Sequence, residues 1–150
     1  MSIKNQLEIA LKKAMKENNT LDKNVLRVLL TNLKLLEVEK GSELTDTEII
    51  TVIQKDIKQH QETIELATSG NRQDIIDQAK NELKILETYL PPQLSDEELK
   101  ELIVQCINEI HAESLSDSGK VLKILMPKIA GRASGSKASN LVRELLTKHT

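Results

Sequence analysis

Apolar residues recur at three- and four-residue steps along most of this 150-residue chain. That spacing places them on one face of an α-helix, whereas strict alternation would indicate a β-strand. Polar or proline-containing breaks separate the successive apolar series. The pattern therefore predicts seven helices, whose apolar series run over residues 3–15, 25–36, 49–67, 75–90, 99–110, 121–129 and 138–146.

Residues at the ends of these series predict where the helices begin and end. Thr45 to Glu48 and Ser95 to Glu98 have the sequence of a capping box, in which a hydroxyl and a carboxylate satisfy each other's backbone donors. Gly41 follows the second series and is suited to a left-handed C-cap. Pro127 removes a backbone donor, so we expect it to kink or end the sixth helix.

The consecutive prolines Pro91 and Pro92 make the strongest break in the chain. Their rings restrict the preceding residue and leave no backbone donor to continue a helix. A capping box follows at once, so we place a boundary near residue 93. The sequence predicts an all-α protein with an N-terminal four-helix, bundle-like domain over residues 1–92 and a smaller three-helix domain over residues 93–150.

Composition agrees with helix and excludes several classes of protein. The chain has one Tyr, no Phe and no Trp, so a β-sheet would lack its preferred aromatic residues. Cys106 is its single cysteine, which excludes an internal disulfide and a multi-cysteine zinc site. No cofactor or metal is predicted. No apolar run approaches the roughly 18 residues of a membrane span, and the N-terminus resembles no leader segment. We therefore expect a cytoplasmic protein.

Charge is segregated along the chain although the net charge is only −2. Residues 1–34 hold 7 basic and 3 acidic side chains, residues 35–118 hold 7 and 19, and residues 119–150 hold 7 and 1. A basic end on an acidic chain is typical of a surface that meets a polyanion. The candidate nucleic-acid-binding side chains in this end are Lys120, Lys123, Lys128, Arg132, Lys137 and Arg143.

A short glycine-containing segment lies among these basic residues. Gly131 and Gly135 would let the backbone approach a ligand, and a helix that begins after them, capped by Ser134 or Ser136, would offer free N–H groups to phosphate. Two plainer interpretations stay open. The charges are also typical of solvated helix faces, and the glycines of an ordinary connector between helices.

No set of residues predicts catalysis. Cys106 continues the apolar series of the fifth helix, so we expect a core residue rather than a reactive thiol. His60 continues the apolar series of the third helix, which indicates a structural histidine. His111 and His149 lie near predicted helix ends. With one Tyr for base stacking, any nucleic-acid contact must be to phosphate and folded shape.

Two segments resemble the GatB/YqeY family. Residues 87–99, ETYLPPQLSDEEL, resemble its linker motif, and residues 119–135, GKVLKILMPKIAGRASG, resemble its C-terminal signature. Ser134 stands where an acidic residue is expected. The resemblance covers essentially the whole chain and implies a stand-alone version of the tail domain of the B subunit of the tRNA-dependent amidotransferase. That tail domain has a four-helix part and a three-helix part and helps to hold the tRNA.

Three functional hypotheses follow from the residues and the resemblance. The first is a tRNA-binding helical module with no catalytic centre of its own. The second is an accessory or component of glutamine-dependent tRNA amidotransferase activity, a carbon-nitrogen ligase reaction, working with amidotransferase or aminoacyl-tRNA machinery. The third is a protein-interaction adaptor whose acidic middle block binds a basic partner. Lacking a long exposed heptad seam, the chain is expected to be a monomer without membrane contact.

Overall fold

The computed structural model describes residues 2–148, and over that range its regular secondary structure is all helix, with no β-strand. The predicted all-α class is confirmed, and a 3-10 turn at Leu115–Asp117 is an addition that the apolar pattern did not predict. No described helix combines the length and apolar character needed to cross a membrane. The α-helices are α1 Ile3–Lys16, α2 Thr20–Lys40, α3 Asp46–Ser69, α4 Gln73–Glu87, α5 Asp96–Ile110, α6 Ser118–Ile129 and α7 Gly135–Lys148.

The local signals that set the helix ends act as the sequence predicts. Thr45 and Glu48 form a reciprocal capping box at the start of α3, and Ser95 and Glu98 form another at the start of α5. Gly41 ends α2 with a φ of +79°, the left-handed conformation that glycine adopts without steric strain. Short-range side-chain chemistry therefore accounts for these boundaries.

Of the two outcomes predicted for Pro127, a kink or an end of the sixth helix, the end is excluded, because α6 continues to Ile129. Proline cannot donate to the carbonyl of Lys123, but both residues are exposed, so water can solvate that carbonyl. The helix ends where Ala130 and Gly131 take positive φ values of +21° and +81°.

The chain divides into two compact units, one ending at Leu90 and the other beginning at Pro91. In the first unit, α1 to α4 share one apolar core. Its fully buried side chains come from all four helices, since each helix turns one apolar face inward. The largest of them are Leu7, Leu26, Leu29, Leu33, Ile49, Ile53 and Leu86.

The second unit has its own core, made by α5, α6 and α7. Cys106 is fully buried in it, and burial raises the pKa of its thiol. The prediction that Cys106 is a core residue is confirmed. Leu94, which precedes α5, also packs into this core. The fully buried residues of the three helices include Leu99, Ile103, Val121, Leu125, Ala138, Val142 and Leu146.

His60 links α3 to α4 at the edge of the first core. Its Nδ1 lies 2.8 Å from the carbonyl oxygen of Asp56 and 3.1 Å from the Asp56 carboxylate. Its Nε2 lies 2.8 Å from a carboxylate oxygen of Glu82 on α4. Burial lowers the pKa of His60, but the hydrogen bonds and the two negative charges outweigh it, so the pKa lies above its ordinary value. His60 is therefore a structural histidine that bridges two helices when protonated.

We predict that His60→Gln removes a pH-dependent part of the stability. Because the folded-state pKa is raised, the bridge contributes fully below about pH 6.5 and its contribution is lost as pH rises through the folded-state pKa. The expected loss is roughly 1 kcal/mol at low pH and close to zero at high pH. Urea unfolding of both proteins at pH 5.5 and pH 8.5 measures it.

A second variant distinguishes the hydrogen bond between His60 and Glu82 from the packing of the His60 ring. Glu82→Gln keeps the His60 ring but removes one of its charged acceptors, so an NMR titration of His60 should show a pKa lower than in the parent protein. A His60 pKa that is the same in both proteins would contradict the assignment.

Candidate nucleic-acid interface

All eight residues predicted to bind nucleic acid lie in the second unit, but the structure gives them different surroundings. Three are on α6, two are in the turn after it, two are in the first turn of α7, and one is in the middle of α7. In that order they are Lys120, Lys123 and Lys128, then Gly131 and Arg132, then Gly135 and Lys137, then Arg143. Their binding to nucleic acid stays a prediction.

The turn after α6 is bound to the segment that begins the second unit. The Nε of Arg132 donates to the carbonyl oxygen of Pro92 at 3.0 Å, and the backbone N–H of Leu94 donates to the carbonyl oxygen of Arg132 at 2.8 Å. Gln93 completes the contact, because its side-chain nitrogen lies 2.9 Å from the carbonyl oxygen of Gly131. We call this contact the clasp. It joins the two sequence segments that carry the family resemblance.

Lys137 connects the N-terminal ends of α5 and α7, next to the clasp. Its ammonium group forms an ion pair with the carboxylate of Asp96 in the first turn of α5, and this hydrogen bond lowers the pKa of Asp96. Its backbone N–H donates to the hydroxyl of Ser134 at 3.1 Å, so Ser134 caps α7. The serine that replaces the expected acidic residue thus supplies the cap itself. A phosphate at Lys137 would have to compete with Asp96.

The basic residues of α6 differ in the strength of their ion pairs. The ammonium group of Lys128 lies 3.1 Å from the carboxylate of Glu109, whose hydrogen bond raises the pKa of Lys128. Lys120 lies 3.9 Å from the carboxylate of Asp117 and is highly exposed, so that pair is weak. Lys128 is therefore neutralised within the unit to a greater extent than Lys120.

Lys123 and Arg143 are exposed and form no ion pair with any residue of the described range 2–148. Lys123 shares the exposed side of α6 with Lys120, three residues earlier. These three cations can reach an external phosphate without first giving up a strong contact. The geometry therefore separates free cations on α6 and α7 from cations that hold the clasp and the helix ends.

The two glycines have different structural requirements. Gly131 has a φ of +81°, where a side chain is strained. Gly135 does not have a positive φ, and a Cβ added to it would lie 3.7 Å from the terminal methyl of Met126, an ordinary contact distance. Of these two glycines, Gly131 is the one whose backbone conformation favours glycine.

The described residues contain no group of three or more His, Cys, Asp or Glu side chains placed to hold a metal ion. His111 is an exposed C-cap of α5 with a φ of +54°, and His149 lies outside the described residues. Sequence reasoning missed Gln93 and Asp96 as partners of the basic turn. Asp96 lies in the first turn of α5, where an acidic residue is favoured by the helix dipole alone, and no local signal connects it to a lysine 41 residues later.

We predict that Gly131→Ala and Gly135→Ala differ in stability. Gly131→Ala forces a side chain into the left-handed region and should lower the free energy of unfolding by about 1–2 kcal/mol. Gly135→Ala should change it by less than about 0.5 kcal/mol, since its Cβ fits the available space. Urea unfolding followed by circular dichroism measures both. Equal losses in the two variants would contradict this distinction.

Comparison with known proteins gives one family. A model of the family described as Yqey-like protein matches residues 4–146. A protein of Clavispora lusitaniae named Altered inheritance of mitochondria protein 41, mitochondrial, is 28% identical over 93% of this chain and 82% of its own length. A protein of the same name from Lachancea thermotolerans is 30% identical over 92% of this chain and 78% of its own length.

The predicted cytoplasmic location is wrong on this finding. The relatives are named as mitochondrial proteins, including one from Kluyveromyces lactis that is 32% identical over 67% of this chain and 56% of its own length. Their names assign these relatives to mitochondria and not to the cytoplasm. The prediction rested on composition and on the lack of long apolar runs, and these features describe how a chain folds, not the compartment in which it works.

Proposed function

The chain belongs to the YqeY-like protein family, and from that premise we propose that it binds folded RNA of the tRNA class through phosphate contacts of α6 and α7, with no catalytic centre of its own. The tRNA class enters from the resemblance to the amidotransferase tail domain. The phosphate contacts are argued from the charges and burial of the second unit.

One observation carries the proposal: Lys123 and Arg143 are exposed cations without an ion pair among residues 2–148. Glu144 is the single acidic residue within positions 119–150, so α6 and α7 themselves carry little negative charge. Free surface cations release bound counterions when they meet phosphates, which supplies sequence-independent affinity. Lys120, which is held only weakly, would add a third contact.

The remaining predicted residues take a supporting role in this proposal. Arg132 and Gly131 hold the turn in place through the clasp, and Lys137 pairs with Asp96. Lys128 is engaged by Glu109. These groups shape the surface and add to its positive potential, while the free cations make the direct contacts.

We also propose that the two units, residues 1–90 and 91–150, are separate domains, a four-helix domain and a three-helix domain whose boundary lies two residues before the predicted one between residues 92 and 93. Each unit has its own core. We expect a fragment of residues 91–150 to unfold cooperatively on heating. A fragment that starts at residue 97 loses Leu94 and the clasp and should melt roughly 10 °C lower or more, because about 1 kcal/mol shifts the Tm of a small domain by roughly 4–8 °C.

Circular dichroism of the two fragments decides the domain proposal. A fragment 91–150 that is unfolded at 25 °C would show that the second unit depends on the first. Equal melting temperatures for the two fragments would show that residues 91–96 do not contribute.

For RNA binding, we predict that replacing Lys123 and Arg143 by Ala weakens binding of bulk tRNA and flattens its salt dependence. Each lost phosphate contact should reduce the slope of log Kobs against log salt by about 1. Fluorescence anisotropy at several salt concentrations measures the slope. Replacing Lys137 and Lys128, which are paired within the unit, should have a smaller effect.

Lys55→Ala is the matched control, since it removes an exposed lysine from α3 in the acidic part of the chain. It should leave the slope unchanged. A slope that responds equally to Lys55 and to the α6–α7 pair, or binding that does not distinguish tRNA from unstructured RNA of equal length, would reject the proposal.

A further inference from the structure

Most basic residues of α1 and α2 in the first unit are not engaged in ion pairs with the residues that the structure describes. Lys4 is paired with Glu37 at 2.9 Å and Lys40 with Glu48 at 2.6 Å, so each makes a defined contact. The other cations of α1 and α2 form no ion pair with any residue between 2 and 148. They are Lys12, Lys13, Lys16, Lys23, Arg27 and Lys34.

Next to the cations of α2 lies a stripe of exposed aliphatic residues. Val28 is 59% exposed, Leu35 is 60% exposed and Val38 is 73% exposed. Their spacing of seven and three residues places them on one side of the helix, with Thr31 between them. The buried residues of α2 lie on the opposite side. The helix therefore has a second apolar stripe that nothing in the first unit covers.

The two flanks of this stripe have different charge. Arg27 and Lys34 each precede a stripe residue by one position, and being seven residues apart they lie along the same flank. Asn32 and Glu39 occupy the opposite flank by the same spacing. We call the stripe with its flanks the α2 face. Its chemistry is apolar in the middle, basic along one edge, and neutral to acidic along the other.

We propose that the α2 face is a docking surface for an amphipathic helix of another protein, with aliphatic residues on one side and Asp or Glu along one flank. Such a helix would cover Val28, Leu35 and Val38 and place carboxylates against Arg27 and Lys34. A neutral or basic residue would face Glu39. This is an interaction beyond the RNA binding proposed for the second unit, and it rests on different residues.

Two other occupants fit the α2 face less well. A nucleic-acid backbone would satisfy Arg27 and Lys34 but would leave three exposed aliphatic side chains in contact with charged phosphates or water. A lipid surface is bound by helices whose apolar face is rich in Trp, Phe and Leu, whereas this face has one Leu and two Val and also carries Glu39. A helix with a complementary apolar stripe satisfies both parts of the face.

The test uses the full-length protein and a synthetic helical peptide of about three heptads, with Leu at the a and d positions and Glu along one flank. Fluorescence anisotropy should show saturable binding of the peptide. Leu35→Gln with Val38→Gln should weaken it at least tenfold, and so should Arg27→Glu with Lys34→Glu. A peptide with Lys in place of Glu should bind the charge-reversed variant better than it binds the parent protein.

Matched controls make the result specific. Lys55→Glu with Lys58→Glu makes the same change in charge on exposed residues of α3 and should leave peptide binding unchanged. A peptide of the same composition with its Leu residues scattered around the helix should bind at least tenfold more weakly. The Leu35 and Val38 double variant should keep the salt dependence of tRNA binding, so failure of this proposal can be distinguished from failure of the proposed function.

Several results would overturn the docking proposal. The proposal is contradicted if the peptide does not bind at millimolar concentration, if the peptide with scattered Leu residues binds as tightly as the designed one, or if the α2 substitutions leave the affinity unchanged. Sedimentation that shows self-association abolished by Leu35→Gln with Val38→Gln would assign the face to a second copy instead. Binding of anionic vesicles or of tRNA that depends on the same substitutions would assign it to a lipid surface or to RNA.

Discussion

The clasp between residues 92–94 and residues 131–132 is the constraint on which the geometry of the second unit depends. It fixes the chain immediately before α5 against the turn between α6 and α7, and so brings the first turns of α5 and α7 close enough for Lys137 to pair with Asp96. Leu94 enters the core beside it. The prolines that interrupt the helical pattern therefore begin a segment that is part of the folded unit.

Contacts within the fold decide which of the basic side chains remain available to a binding partner. The C-terminal block carries the largest positive charge per residue, yet Arg132, Lys137 and Lys128 are engaged by neighbouring groups. The less basic N-terminal block leaves more of its cations free on α1 and α2. Counting charges along a chain measures the average potential, whereas the charge available to a partner depends on which side chains are already neutralised.

Short-range chemistry could be predicted and long-range pairing could not. The helices, the capping boxes at Thr45 and Ser95 and the buried Cys106 follow from periodicity and local hydrogen bonding. Asp56 could have been predicted as a partner of His60, because it lies four residues earlier on the same helix. Glu82 lies on another helix, so its contact depends on packing that a single sequence does not specify.

The complete burial of Cys106 makes this thiol a probe of local opening in the second unit. A thiol at zero exposure with a raised pKa does not react with an alkylating reagent in the folded state, so labelling proceeds only when the surrounding helices open. Because the chain has one cysteine, every modified molecule records an opening of this core and of no other. The rate of Cys106 alkylation, measured by mass spectrometry, therefore reports how often this core opens. Such a probe is useful because the single Tyr of the chain gives only a weak fluorescence signal.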